Sequence, residues 1–189
     1  SAEDKIYRAI AFNSCCVDYK SLGNYVQART YGAQSLQLFL EADDLFGAGV
    51  AHSSLGEVAL ANHELELAIE HFGQALTLLF TRQADQTSAE VLETHLNLGQ
   101  AYYLRGDTEK ALEHTQIVLA HVEKQNMQHF SVRCHQLLSQ IYEQAGNLSL
   151  ALNHLKQYVG IHEQISSETS RKNIQRLQIL HETQRAQAE

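Results

Sequence analysis

The sequence predicts an all-α fold, a solenoid of four helix hairpins with a period of about 40 residues, on three observations. First, small residues stand at Cys16, Gly56, Gly99 and Ser139 and again twelve residues later at Ala28, Ala68, Ala111 and Ala151, at intervals of 40, 43 and 40 in both columns. A small residue on one helix facing a small residue on the next lets the two approach closely, and four repeats of that arrangement mark a stacked array. Second, the 189 residues include no proline, so glycine and short polar turns punctuate the chain. Third, 44% of the residues are apolar without one Trp, which suits interlocking helices and supplies a sizeable core.

Registered on the first small column, helices are expected over about 4–22 and 25–42, 45–61 and 64–82, 88–105 and 108–125, then 128–145 and 148 onward. Cys15, Leu55, Leu98 and Leu138 precede the column, and Tyr19, Ala59, Tyr102 and Tyr142 follow it by three, which puts both sets on one helix face. Seven residues past the column come Gly23, His63, Gly106 and Gly146, at a turn where glycine adopts a left-handed backbone at least cost. Asn24, Glu64, Asp107 and Asn147 follow as expected caps of each second helix. Thr87 and Glu90 have the spacing of a capping box for the fifth helix, and Gly47-x-Gly49 reads as a turn. The repeat domain is expected over 1–165, in units of about 4–43, 44–83, 87–126 and 127–165.

A helical extension is expected over 166–189. Residues 166–189 hold four basic and three acidic side chains, a net +1 against −9 over residues 1–165. Ile174, Leu177, His181 and Gln184 have the 3-4-3 spacing of the start of a coiled-coil seam. The chain opens on Ser-Ala-Glu, has Met127 as its single methionine, and ends inside a helical pattern, so it reads as a piece of a longer protein.

Leu98-Gly99-x-x-Tyr102, Gly106-Asp107 and Ala111 resemble the tetratricopeptide repeat. The second hairpin matches that family at Leu55-Gly56, Ala68, Phe72 and Ala75, and the fourth at Leu138, Tyr142, Gly146 and Ala151. The first keeps Tyr19, Gly23 and Ala28 but has Cys16 at the glycine position and Gly32 where Phe is usual. The resemblance covers about residues 5–160 and departs from the family in its longer period and in lacking the closing proline. It implies a right-handed superhelix whose first helices line a concave groove. Carried over position by position, the groove residues are Asn13, Val17 and Lys20, then Ser53, Glu57 and Leu60, then Leu96, Gln100 and Tyr103, and last Arg133, Gln136, Gln140 and Glu143. Only Asn13, Lys20 and Arg133 suit the gripping of a free carboxylate, so an acidic peptide tail is not the expected ligand. The amides of Gln136 and Gln140 suit an extended peptide backbone.

No catalytic residue, metal or cofactor is expected. His52, His95 and His135 occupy the register where the family has Trp, and read as imidazoles in an aromatic slot with one nitrogen hydrogen-bonded. Zinc needs three or four ligands at about 2 Å, whereas helix axes lie about 8–10 Å apart and no Cys or carboxylate shares that register. No HExxH motif, phosphate loop or dinucleotide loop occurs. Cys15, Cys16 and Cys134 form neither an even disulfide set nor a CxxC pair, which points to a reducing, cytoplasmic setting. Cys15 and Cys16 point about 100° apart on a helix, so at least one is buried and a functional thiol is not expected. Asn147-Leu148-Ser149 reads as a hairpin turn rather than a glycosylation site. The acidic balance argues against nucleic acid and anionic membrane, and no apolar run is long enough to span a bilayer.

The expected function is therefore binding without catalysis. The chain reads as a protein or peptide interaction domain, the regulatory part of a larger bacterial signal-transduction protein. Its C-terminal helix resembles those that precede nucleotide cyclase, diguanylate cyclase or histidine kinase modules. The expected partners are a protein or peptide and a second copy of the chain through the C-terminal helix. The alternatives are a passive scaffold for complex assembly and the peptide-pheromone receptor domain of a transcriptional regulator.

Overall fold

The computed structural model describes residues 1–80, 88–125 and 127–188. It contains α1 (Ala2–Ser21), α2 (Tyr25–Glu41), α3 (Leu45–Ala61), α4 (Leu65–Phe80), α5 (Ala89–Arg105), α6 (Thr108–Gln125), α7 (Gln128–Gln144) and α8 (Leu148–Ala188), with no strand among the described residues. Each expected helix is present within a few residues of its expected ends. The chain forms two compact units, Ser1–His121 and Val122–Glu189. In the first unit α1 pairs with α2 and α3 with α4, α2 packs on α3 and α4 on α5, and α3 also touches α1 and α5. In the second, α7 pairs with α8. Among the described residues no helix is long and apolar enough to cross a membrane.

One turn geometry closes the hairpins. The amides of Asn24, Glu64, Asp107 and Asn147 each donate to the carbonyl five residues back, on Tyr19, Ala59, Tyr102 and Tyr142, at 2.8–2.9 Å. The residue before each has positive φ, namely Gly23, His63, Gly106 and Gly146, so all four turns satisfy the last carbonyls of the first helix in the Schellman manner. His63 adopts the left-handed conformation at φ 61° despite its side chain, and Asp43 does so at φ 56° between α2 and α3. Asn24, Asp107 and Asn147 cap the second helices as expected, accepting from Gln27, Lys110 and Leu150. Glu64 instead accepts from Arg29 at 2.7 Å and from the Asn62 amide.

Three other expectations are corrected or fall outside the structure. Thr87 lies outside the described residues, and the cap of α5 is Ser88, whose hydroxyl accepts from the Val91 amide. Gly47-x-Gly49 is not a turn but lies in the first turns of α3, where Asp44 is the cap. The side chains of Ile174, Leu177, His181 and Gln184 lie outside the described residues, so the seam they were expected to form has no structural account.

Gly56 of the first small column lodges a bulky ring, and Gly47 and Gly49 outside it likewise lodge large side chains, while Cys16 packs with Ala28 of the second column. A Cβ on Gly56 would meet the Phe72 ring at 2.6 Å, one on Gly47 the Phe39 ring at 2.3 Å, and one on Gly49 the Leu79 side chain at 2.9 Å. Phe72 and Leu79 are fully buried, and Phe72 packs with Ala59, Ala68, Leu98 and Ala101. In the first hairpin the sizes are exchanged: Gly32 takes the place of Phe72, and Leu55 of α3 fills it, 2.6 Å from where a Cβ would stand.

Gly56→Ala is expected to lower stability by about 1–3 kcal/mol, because the added methyl overpacks a closed contact. Gly73→Ala, at an exposed position of α4 with nothing within 4 Å of the new methyl, is expected to raise it by about 0.5–1 kcal/mol. Urea denaturation midpoints of the two variants check both signs.

Candidate functional site

Adjacency of α1, α3 and α5 brings the expected groove residues of the first unit together, and their polar atoms pair with one another. Lys20 on α1 forms an ion pair with Glu57 on α3, whose other oxygen accepts from Asn97 on α5 at 3.2 Å. The Ser53 and Thr94 hydroxyls lie 3.1 Å apart, and Thr94 also donates to the Glu90 carbonyl at 2.7 Å. Asn13 Oδ1 is buried without a hydrogen-bond partner. Val17 is exposed, Leu60 and Tyr103 are half-buried, and Gln100 is exposed. Leu96, at 3% exposure, belongs to the core and offers no surface to a ligand in this conformation.

Thr94 and Asn97 were not among the expected residues. They stand two before and one after Leu96, in a stretch that also holds Glu93, His95 and Gln100, so their polarity did not set them apart. In the second unit Arg133, Gln136, Gln140 and Glu143 fall on one face of α7 at 3-4-3 spacing, opposite the buried Cys134, Leu138 and Ile141.

Cys16 lies beneath this first-unit network. Burial and the Glu57 carboxylate push its thiol up to about 11 against the opposing pull of Lys20, so it is protonated and unreactive. Cys15 is half-buried, and both are free thiols.

The expected aromatic slot holds pairs of rings. His52 faces His71, His95 faces His114 and His135 faces His154, with Nδ1 to Nδ1 distances of 3.0, 2.9 and 3.0 Å. Ring centroids are 5.3, 5.2 and 5.2 Å apart. Each pair joins the two helices of one hairpin, 19 residues apart in sequence. The first hairpin has Phe12 and Tyr31 at the same positions, with centroids 5.9 Å apart. The second ring stacks on a tyrosine of the first helix in three hairpins, as Tyr31 on Tyr19, His114 on Tyr102 and His154 on Tyr142. Sequence reasoning found the first column and missed its partners, although His71, His114 and His154 recur at the same 43- and 40-residue intervals. Among the described residues no group of three or more metal-ligating side chains comes together.

Residues 90–164 match the family model of the tetratricopeptide repeat. The whole array has the tetratricopeptide-like, all-α solenoid fold. Solved structures with this fold include RapI in its apo form, at TM-score 0.76 and 19% identity over 88% of this chain and 60% of that one. Aspartyl phosphate phosphatase F from Bacillus subtilis aligns at 0.75 and 18% over 86% and 42%, and BtubC from P. vanneervenii at 0.72 and 18% over 84% and 64%. The chain thus spans less than two thirds of each of these proteins. A comparison of the sequence with curated proteins finds no match.

Of the expected groove positions of the first unit, Lys20, Glu57 and Ser53 are thus engaged with neighbouring helices, while Val17 and Gln100 stay exposed. An open cleft at the turn end of the first two hairpins, lined by Leu22, Val26, Arg29, Asn62 and Glu64 among others, contains none of the groove residues. A double-mutant cycle of Lys20→Met and Glu57→Gln is expected to show a coupling of about 1 kcal/mol that shrinks in high salt, because the pair is less than one third exposed but open to ions. Urea melts at low and high salt check it.

Proposed function

We propose that this chain is a non-catalytic protein- or peptide-binding domain, the regulatory part of a larger bacterial signalling protein, and that α8 carries its state onward. The observation that carries the reading is a stripe on α8 that none of the described residues covers. Leu148, Leu152, Leu155 and Val159 are 67, 53, 45 and 42% exposed and follow one another at 4-3-4 spacing along a helix of 41 residues. Leu155 holds the position of Phe72, which in α4 is fully buried against Leu98 and Ala101 of the following helix. A helix from a second copy of the chain or from an adjoining module fits there, in the manner of a coiled-coil seam.

On this reading a protein or peptide seats on Arg133, Gln136, Gln140 and Glu143 of α7 and on the first-unit groove, and the change in packing reaches α8. The activity named for the phosphatase among the fold neighbours is not carried over, since the chain covers 42% of that protein. The second reading, a passive scaffold, is favoured by the internal pairing of Lys20, Glu57 and Asn97, which leaves the first-unit groove little charge to offer. The reading as a pheromone receptor domain shares the groove and differs in what is attached to it.

Sedimentation equilibrium of the chain separates the readings. A dimer that becomes monomeric in Leu152→Lys with Leu155→Lys supports the relay, and a wild-type monomer at tens of micromolar supports the scaffold. A peptide selected from a display library on the folded chain is expected to lose at least about tenfold in affinity with Gln136→Ala and Gln140→Ala, a loss of about 1.4 kcal/mol, at unchanged thermal stability.

A further inference from the structure

Three hairpins of this array carry the same head-on imidazole pair. The Nδ1 atoms are 2.9–3.0 Å apart while the ring centroids are 5.2–5.3 Å apart, so each ring points its Nδ1 along the line to the other. At that distance one Nδ1 must carry a proton and the other a lone pair. Neither tetratricopeptide packing nor ligand binding requires this chemistry, because the first hairpin closes the same slot with Phe12 and Tyr31.

We propose that the three pairs are acid-sensitive latches, each holding the two helices of its hairpin through one Nδ1–H···Nδ1 bond and releasing them when acid places a proton on both rings. In the neutral pair one ring is protonated on Nδ1 and donates, and the other is protonated on Nε2 and accepts. A first proton from solvent goes to Nε2 of the donor and leaves the bond in place. A second proton must go to the accepting Nδ1. It removes the lone pair that held the bond and sets two N–H groups and two positive charges against each other. His52, His95 and His135 directly precede Ser53, Leu96 and Gln136, so release reaches the first helices that line the groove.

The groups around each pair set when this happens. Burial is the largest influence on all six rings and holds each below the ordinary histidine value. At the first pair Glu70 on α4 favours the charge on both rings, and Arg29 on α2 opposes it at His71. At the second, His114 and His121 oppose charge on His95, which is pushed down to about 4. There Glu113 favours and Lys110 opposes charge on His114, while Tyr102 and Phe80 cover the rings. At the third, Glu123 on α6 favours charge on both rings. The unfolded chain takes up these protons near pH 6.5, before the folded one does. The stability that the pairs contribute is therefore complete above about pH 6.5 and falls as pH drops toward the folded values, about 4 for His95.

Two measurements on the full chain test the latches. Long-range ¹H–¹⁵N imidazole spectra at pH 7.5 are expected to show one Nδ1–H and one Nε2–H tautomer in each pair, and two Nε2–H tautomers in any pair would overturn the proposal. Hydrogen exchange followed from pH 7 to 4.5, corrected for the intrinsic rate, is expected to show α3 to α8 losing protection while α1 and α2 keep theirs. Equal loss in the first hairpin also overturns it. The variant His95→Phe with His114→Tyr, which gives the third hairpin the side chains of the first, is expected to keep its protection at pH 4.5. If that variant does not fold, the tautomers of the unmodified chain still decide.

Discussion

The array depends on bulky side chains entering the space that a missing Cβ leaves on a facing helix. Phe72 over Gly56, Leu79 over Gly49 and Phe39 over Gly47 lie closer than any side chain at the glycine position would permit. Truncating such a buried ring costs about 3–5 kcal/mol, because the transfer free energy is lost and a cavity remains. The contact also sets the separation of the helix axes, which the turns must then match. The four Schellman closures fix the reversal at the same number of residues each time, and so keep glycine and ring in register. The first hairpin keeps the contact while exchanging its members, with Gly32 on the second helix and Leu55 entering from α3. What is preserved is the complementary pair of sizes, and which helix supplies the large one is free to vary.

From that fixed separation the ring pairs follow. Centroid distances of 5.2–5.9 Å recur in all four hairpins, whether the rings are Phe and Tyr or two histidines. A slot of constant width accepts either an apolar aromatic contact or a single N–H···N bond, since both fill it. The choice changes the dependence on pH and leaves the packing alone. Stacking on Tyr102 and Tyr142 holds the second ring of the third and fourth pairs nearly parallel to the phenol, at 3° and 6°, which orients its Nδ1 toward the first helix. The second hairpin has Ala59 at that position, so His71 lacks the stack.

Helix ends and hairpin register were legible because they are written in local chemistry, namely the caps Asn24, Asp107 and Asn147 and the glycines that turn left-handed after each first helix. His63 obeys the same geometry without the residue that signals it, because the Schellman bond from Glu64 to Ala59 outweighs the strain of a left-handed histidine, which costs about 1–2 kcal/mol. Gly47 and Gly49 misled in the opposite sense, since glycine in a sequence reads as a turn while here it is a hole for Phe39 and Leu79, a matter of tertiary packing. The groove positions carried over from the family stand on the first helix of each hairpin, but the pairing of Lys20 with Glu57 and Asn97 joins three helices and no local pattern encodes it. His71, His114 and His154 were visible as a column and carried no meaning until their rings met those of the preceding helix.

On the proposed reading, the expected groove positions of the first unit and the apolar stripe of α8 differ in what binding costs them. A ligand entering the groove beside Lys20 must separate it from Glu57 or leave the pair intact and bind to its rim. Breaking the pair leaves a half-buried ammonium or carboxylate that the ligand must satisfy with its own charge. A rim ligand, by contrast, has Gln100, Tyr103 and Val17 to touch, and its affinity comes from shape and from backbone hydrogen bonds to amides. On α8 no such pairing has to be undone. Leu148, Leu152, Leu155 and Val159 gain by any apolar contact, at about 25 cal/mol for each Å² removed from water, and lose no polar partner. A surface that gains by being covered and gives up nothing suits lasting association, while one that must first break its own bonds suits selective and reversible binding. Separate surfaces with those two characters are what the proposed relay requires, one to bind and one to report.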